Sequence, residues 1–158
     1  MKRFVLLLLV LCLLLSGCSI IPSEEPKEQT IKEVGITITA KGRVVLLMDE
    51  DRVPCDFSLN TTDGTLFFSH YIDQDPSTVT YEYLCRVWKP HDVDPSQIVS
   101  LENGAFFVRL PESSPGFVEC YYYIQQGTEI WMIQGLILAE RYDETETLAV
   151  LQSIRFSE

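Results

Sequence analysis

The side chains that could carry chemistry are few. Cys55, Cys85 and Cys120, with His70 and His91, are the types from which a thiolate nucleophile and its base are made. That chemistry needs a thiol and an imidazole adjacent in space, and no sequence spacing brings them together. No C-x-x-C pair occurs, which leaves a thioredoxin-like motif and a zinc knuckle unsupported. Three acidic groups, Asp49-Glu50-Asp51, Asp73 with Asp75, and Asp92 with Asp94, offer hard oxygen ligands. None alternates with a turn glycine as a calcium loop requires, so they read as solvated loop charge. Paired carboxylates for glycoside hydrolysis need a cleft and a set separation, and neither is legible. The chain has no G-x-S-x-G, P-loop or dinucleotide-binding glycine pattern. The expectation is no metal, no cofactor and no catalytic residue.

Aromatic side chains are the remaining candidates for a binding surface. Tyr121, Tyr122 and Tyr123 run consecutively, and Trp131 falls on the following strand within cross-strand reach. An outward face carrying Tyr122 and Trp131 would stack a sugar or grip a peptide. If a helix covers that face, the same residues are core.

Composition narrows the partners. Among 158 residues, 23 are acidic and 12 basic, a formal charge of −11. Such a surface repels nucleic acid and anionic wall polymers and tolerates a cationic ligand; solubility is its plainest explanation.

The elements that must position these residues begin after a leader. Lys2 and Arg3 precede an apolar run from Phe4 to Leu15, the charge and hydropathy order of a secretory signal. The run is 12 residues long, and a spanning helix needs about 20. Leu15-Ser16-Gly17-Cys18 follows.

These four residues resemble the lipobox of bacterial lipoproteins. In that family a diacylglycerol group alkylates the cysteine thiol, cleavage occurs just before the cysteine, and the new amine is often acylated. The resemblance implies a signal peptide over 1–17 and a lipidated Cys18 as the first mature residue. It places the chain on a cell membrane, facing away from the cytoplasm. Several acyl chains on one residue make a lasting anchor where one holds only marginally. Ser19, rather than an aspartate, would direct a lipoprotein to the outer membrane of a two-membrane cell. Cys12 leaves with the signal, so three cysteines remain: at most one bridge and one free thiol, with the pair open.

Residues 18–35, with Pro22, Pro26 and alternating charge, read as a flexible tether. One folded domain is expected over 36–158. Ile36 and Ile38 alternate with Thr37 and Thr39 as a half-buried strand does. Val44–Met48, Cys55–Leu59 and Leu66–Ile72 are further strands, with NTTDG at 60–64 as a turn. Over 75–89, Asp75 and Pro76 fit a helix start. Val79, Tyr83, Leu84, Val87 and Trp88 then share a helical face. Val79, Tyr81, Tyr83, Cys85 and Val87 also alternate as a strand would, and the cap favours helix. Asn103-Gly104 predicts a type I′ hairpin between 98–101 and 105–110. Strands over 117–125 and 129–140 flank Gly127. Asp143, with Glu146 three residues on, opens a C-terminal helix carrying Leu148, Val150 and Leu151. Ile154 and Phe156 are placed to dock on the sheet.

This order predicts an α+β fold: an antiparallel sheet of about six or seven strands covered by one helix and a C-terminal helix. The tail YYYIQQGTEIWMIQGLILAERYDETETLAVLQSIRF is similar to the end of small PsbP/Mog1-like domains. These share a hairpin, a long strand, a capped helix and a short S-I-x-F finish. That group acts mostly through binding and assembly, which implies an accessory module for an unidentified protein or small molecule. The alternatives are an enzyme using a free cysteine and a structural subunit of an envelope complex.

Overall fold

A computed structural model describes residues 25–47, 55–71, 78–110 and 115–157. Within them, two antiparallel sheets and two α-helices form the α+β arrangement expected from the sequence. The larger sheet has seven strands in the order β3-β4-β5-β9-β8-β7-β6. These are β3 (Val45–Leu47), β4 (Phe57–Asn60), β5 (Gly64–His70), β6 (Ile98–Ser100), β7 (Phe106–Arg109), β8 (Phe117–Gln126) and β9 (Glu129–Leu138). The smaller sheet has three: β1 (Lys27–Ile31), β2 (Ile36–Ala40) and β10 (Arg155–Phe156), with β2 in the middle.

Period-2 alternation is clearest on the strands that form the centre. Ile36, Ile38 and Ala40 of β2 are buried and face Leu59, Leu66, Phe68, Tyr122 and Ile133 of the large sheet. Phe67 and Phe68 point to opposite faces, as the alternation requires: Phe68 is buried and Phe67 half-buried. The second α-helix, α2 (Glu144–Gln152), adds Leu151 to this core, and Ile154 follows it. The main-chain N–H of Thr39 donates to Ser153 Oγ at 2.8 Å and ties the end of α2 to β2.

The opposite face of the large sheet is partly covered by α1 (Tyr81–Trp88). Leu84 and Trp88, one helical turn apart, pack with Val108 and Tyr123 in a second core. Helix wins over strand across 81–88, but its cap is Thr80, whose hydroxyl accepts from Tyr83 N at 3.2 Å. Asp75 and Pro76 lie outside the described residues.

Two sequence expectations need correction. The tether does not run to residue 35, because β1 pairs with β2 from Lys27 to Ile31. Gln29 ties this strand to the residues that follow β2. Its Nε2 donates to Gly42 O at 2.8 Å, and its Oε1 accepts from Val44 N at 2.9 Å. Polar side chains on an edge strand give no alternation signal, and only Ile31 and Val34 reach the core. The Asn103-Gly104 turn is likewise not type I′. Gly104 has φ +78° while Asn103 stays at negative φ, and Leu101 N donates to Ala105 O at 2.9 Å. That is a three-residue loop with a left-handed glycine last.

Asp143 caps α2, accepting from Glu146 N at 2.9 Å. The return half of the capping box is not made, since the Glu146 carboxylate turns to Lys41. Asp143→Ala should therefore lose the single cap, about 1 kcal/mol of stability, read as a lower urea midpoint with an unchanged slope.

Candidate functional site

Cys18, the predicted lipidation position, lies outside the described residues. Tyr122 and Trp131 do not form an outward aromatic face. Tyr122 is 0% exposed and Trp131 7%. Trp131 stacks on Phe156 at 4.9 Å between centroids. The Tyr122 hydroxyl accepts from Asn103 Nδ2 at 3.0 Å. The small sheet covers this side, and α1 covers Tyr123 on the other, so alternation across β8 leads to two cores.

His70 comes closest to a catalytic arrangement. Its Nδ1 lies 3.1 Å from Asp56 Oδ2, and its Nε2 lies 3.3 Å from Glu129 Oε2. Its ring packs on Trp131 at 3.6 Å. Cys55 precedes Asp56 by one residue, which brings thiol and imidazole into one neighbourhood. Both ring nitrogens nevertheless face carboxylates, and neither is directed at the thiol. Burial, and then the Asp56 charge, push the Cys55 thiol upward, away from the thiolate a nucleophile needs. The two carboxylates sit at opposite nitrogens of the ring, where they cannot share one ion. Among the described residues, no group of three or more His, Cys, Asp or Glu side chains is placed to hold a metal.

The other candidates are structural. Cys55, Cys85 and Cys120 are all free thiols. His91 packs beside the Trp88 ring at 5.3 Å. Asp94 accepts from Ser96 N at 2.8 Å and Ser96 Oγ at 2.6 Å, which lowers its carboxyl. Asp92 takes a left-handed backbone, φ 57°, to end the preceding 3-10 turn. Asp49-Glu50-Asp51, Asp73 and Asp75 lie outside the described residues.

Cys120 lies in the main core opposite Gly135, and burial pushes its thiol up to about 12 from 9.0. The proton is therefore retained in the folded state above the pH at which the unfolded chain loses it. This contribution is intact below about pH 9 and is lost as pH rises toward 12, on the order of 4 kcal/mol. Burial raises the Tyr71 hydroxyl as well, to about 12. Stability should fall through pH 9–12 in urea melts followed by circular dichroism, and Cys120→Ala should flatten the slope.

The structure does open a cavity that no motif announces. A cleft of about 270 Å³ lies between the end of β2, the β4–β5 turn, the end of β9 and α2. Ala40, Leu66, Ile137, Val150 and Leu151 make its floor, and Lys41, Asp63, Arg141 and Glu146 stand at its mouth. Lys41 Nζ meets Glu146 Oε2 at 2.5 Å, bridging β2 to α2. Arg141 Nη1 donates to Thr62 O at 2.6 Å. The Lys41 ammonium is held above its ordinary range by Glu146, with Asp63 and Asp143 the next charges acting on it. An apolar floor under a charged mouth suits a small ligand with an apolar body and an ionic end. The lining comes from five separate stretches of sequence, Pro26 being the first, and no spacing links them.

Neither a family profile nor a curated protein sequence matches this chain. Among solved structures, it is similar to the solution structure of cyanobacterial PsbP (CyanoP) from Synechocystis sp. PCC 6803. That match has a TM-score of 0.51 at 10% identity, over 88% of this chain and 96% of that one. The fold is PsbP-like. At this identity the likeness assigns no residue a role.

Proposed function

We propose that the chain is a lipid-anchored, extracytoplasmic binding module of the accessory kind, without catalysis of its own. Its PsbP-like domain takes a ligand in the cleft between β2 and α2. The observation that carries this reading is the cleft itself, an apolar cavity of about 270 Å³ with four charged groups at its mouth. The chemistry around the thiols supports it. Cys55 and Cys120 are both pushed toward the protonated form, and His70 is engaged by two carboxylates. The anchoring half rests on Leu15-Ser16-Gly17-Cys18. No helix among the described residues is long and apolar enough to cross a membrane.

The binding half is tested by a thermal-shift screen of the folded domain against small amphipathic compounds, followed by amide NMR. Support requires a saturable hit whose shifts centre on Ala40, Val150 and Leu151. Hits that map to the His70 end instead would overturn it. Mass spectrometry of the native N-terminus tests the anchor: a diacylglyceryl Cys18 supports it, and a chain starting at Met1 refutes it.

A further inference from the structure

The cleft mouth holds two carboxylates, Asp63 and Glu146, and two cations, Lys41 and Arg141, and one of those cations is already a model of a ligand. Lys41 brings a four-carbon stem to the rim and ends in an ammonium held by Glu146 at 2.5 Å. Asp63, also at the rim, and Asp143, behind it, act on the same ammonium. Arg141 gives one N–H to the Thr62 carbonyl and so is tied to the β4–β5 turn. One carboxylate therefore holds this lysine directly, and two more bear on it without a direct contact, at the edge of an apolar pocket in a chain of formal charge −11. The side chains of Lys41 and Glu146 are 30% and 57% exposed. An ion pair that open to water is held weakly and can be exchanged.

We infer that the cleft recognises a primary alkylammonium: the alkyl chain on Ala40, Leu66, Ile137, Val150 and Leu151, and the ammonium between Asp63 and Glu146 in place of Lys41. The inference rests on the cleft being the binding site and adds the charge and shape of what enters. An acid of the same length would meet Glu146 and Asp63 directly, with Lys41 already engaged, and only the exposed Arg141, turned to the Thr62 carbonyl, would oppose that repulsion. A neutral alcohol would gain the floor but nothing at the mouth. Lys41 acts as a latch that an incoming ammonium replaces charge for charge.

The test titrates the folded domain with n-hexylammonium, hexanoate and hexanol at low salt, followed by amide shifts of Ala149, Val150 and Leu151. Nα-acetyl-lysine methylamide is a fourth arm that separates a displayed lysine side chain from a free amine. Hexylammonium should bind most tightly. Lys41→Ala should tighten it about threefold by removing the competing ion pair, and Glu146→Gln should loosen it by a similar factor. Both positions are at the surface, so both variants should fold with wild-type melting curves. If hexanoate or hexanol binds as well as the ammonium, the inference fails while the cleft stands as a binding site. If Lys41→Ala weakens the ammonium, the latch is wrong. If none of the four shifts these amides, the cleft reading and the inference fall together.

Discussion

Gly64→Ala should cost about 3 kcal/mol or more and leave much of the expressed chain insoluble or unfolded. A Cβ at this position would stand 2.1 Å from the Leu136 carbonyl oxygen and 2.8 Å from Ile137 Cα. Both are backbone atoms of β9, the strand to which β5 is paired along its whole length. No rotamer relieves such a contact, so β5 or β9 must move away and take ladder hydrogen bonds with it. The same turn is fixed from outside, where Leu138 N donates to Asp63 O at 2.9 Å and Thr61 N to Gly64 O at 2.8 Å. Thermal melts and urea midpoints would show the loss. Gly104→Ala is the internal comparison: a Cβ there meets nothing within 4 Å and only the positive φ opposes it. A Gly64→Ala protein as stable as Gly104→Ala would mean that the β5–β9 junction is not packed as described.

Tyr122→Ala should be the second severe variant, at about 3–5 kcal/mol. The ring is fully buried and registers between Phe107 on β7 and Ile133 on β9. Truncation leaves a cavity that close-packed neighbours cannot fill. It also strips Asn103 Nδ2 of its acceptor and loosens the turn between β6 and β7. Tyr122→Phe keeps the volume and should cost about 1 kcal/mol, the net worth of one hydrogen bond. Stability and not ligand affinity is the expected readout: hexylammonium titration of Tyr122→Phe should match the wild type.

That outcome marks where reading the sequence stopped short of the site. Alternation across Tyr121, Tyr122 and Tyr123 specifies two faces correctly, but it cannot say what covers them. Here β2 lies over one face and α1 over the other, and an aromatic pair that could have been a platform became core. Of the central strands, β2 was legible because Ile36 and Ile38 alternate with Thr37 and Thr39, and β8 and β9 because they flank the turn at Gly127. The start of α2 was legible because Asp143 is chemically a cap. β1 was not, since an edge strand with Lys27, Glu28, Gln29 and Thr30 has a tether's composition, and the main-chain ladder and polar side-chain bonds that fix it leave no apolar pattern. The cleft was invisible for a different reason. Its floor residues read as ordinary core, and its charged rim is assembled from residues 41, 63, 141 and 146, which only the fold brings together.

The placement of β2 between β1 and β10 governs the order in which this protein can be completed. Thr39 and Ser153 are hydrogen-bonded across 114 positions of chain, and the edge that Ile36 and Thr37 offer to β10 waits for residues 155 and 156. Closing so long a loop is slow, and it is rewarded only at the end. A nascent chain stopped near residue 140 would hold the large sheet's strands but leave Ile36 and Ile38 without Leu151 and Ile154 above them. The main core closes only when this tail docks, since Leu151 and Ile154 complete it.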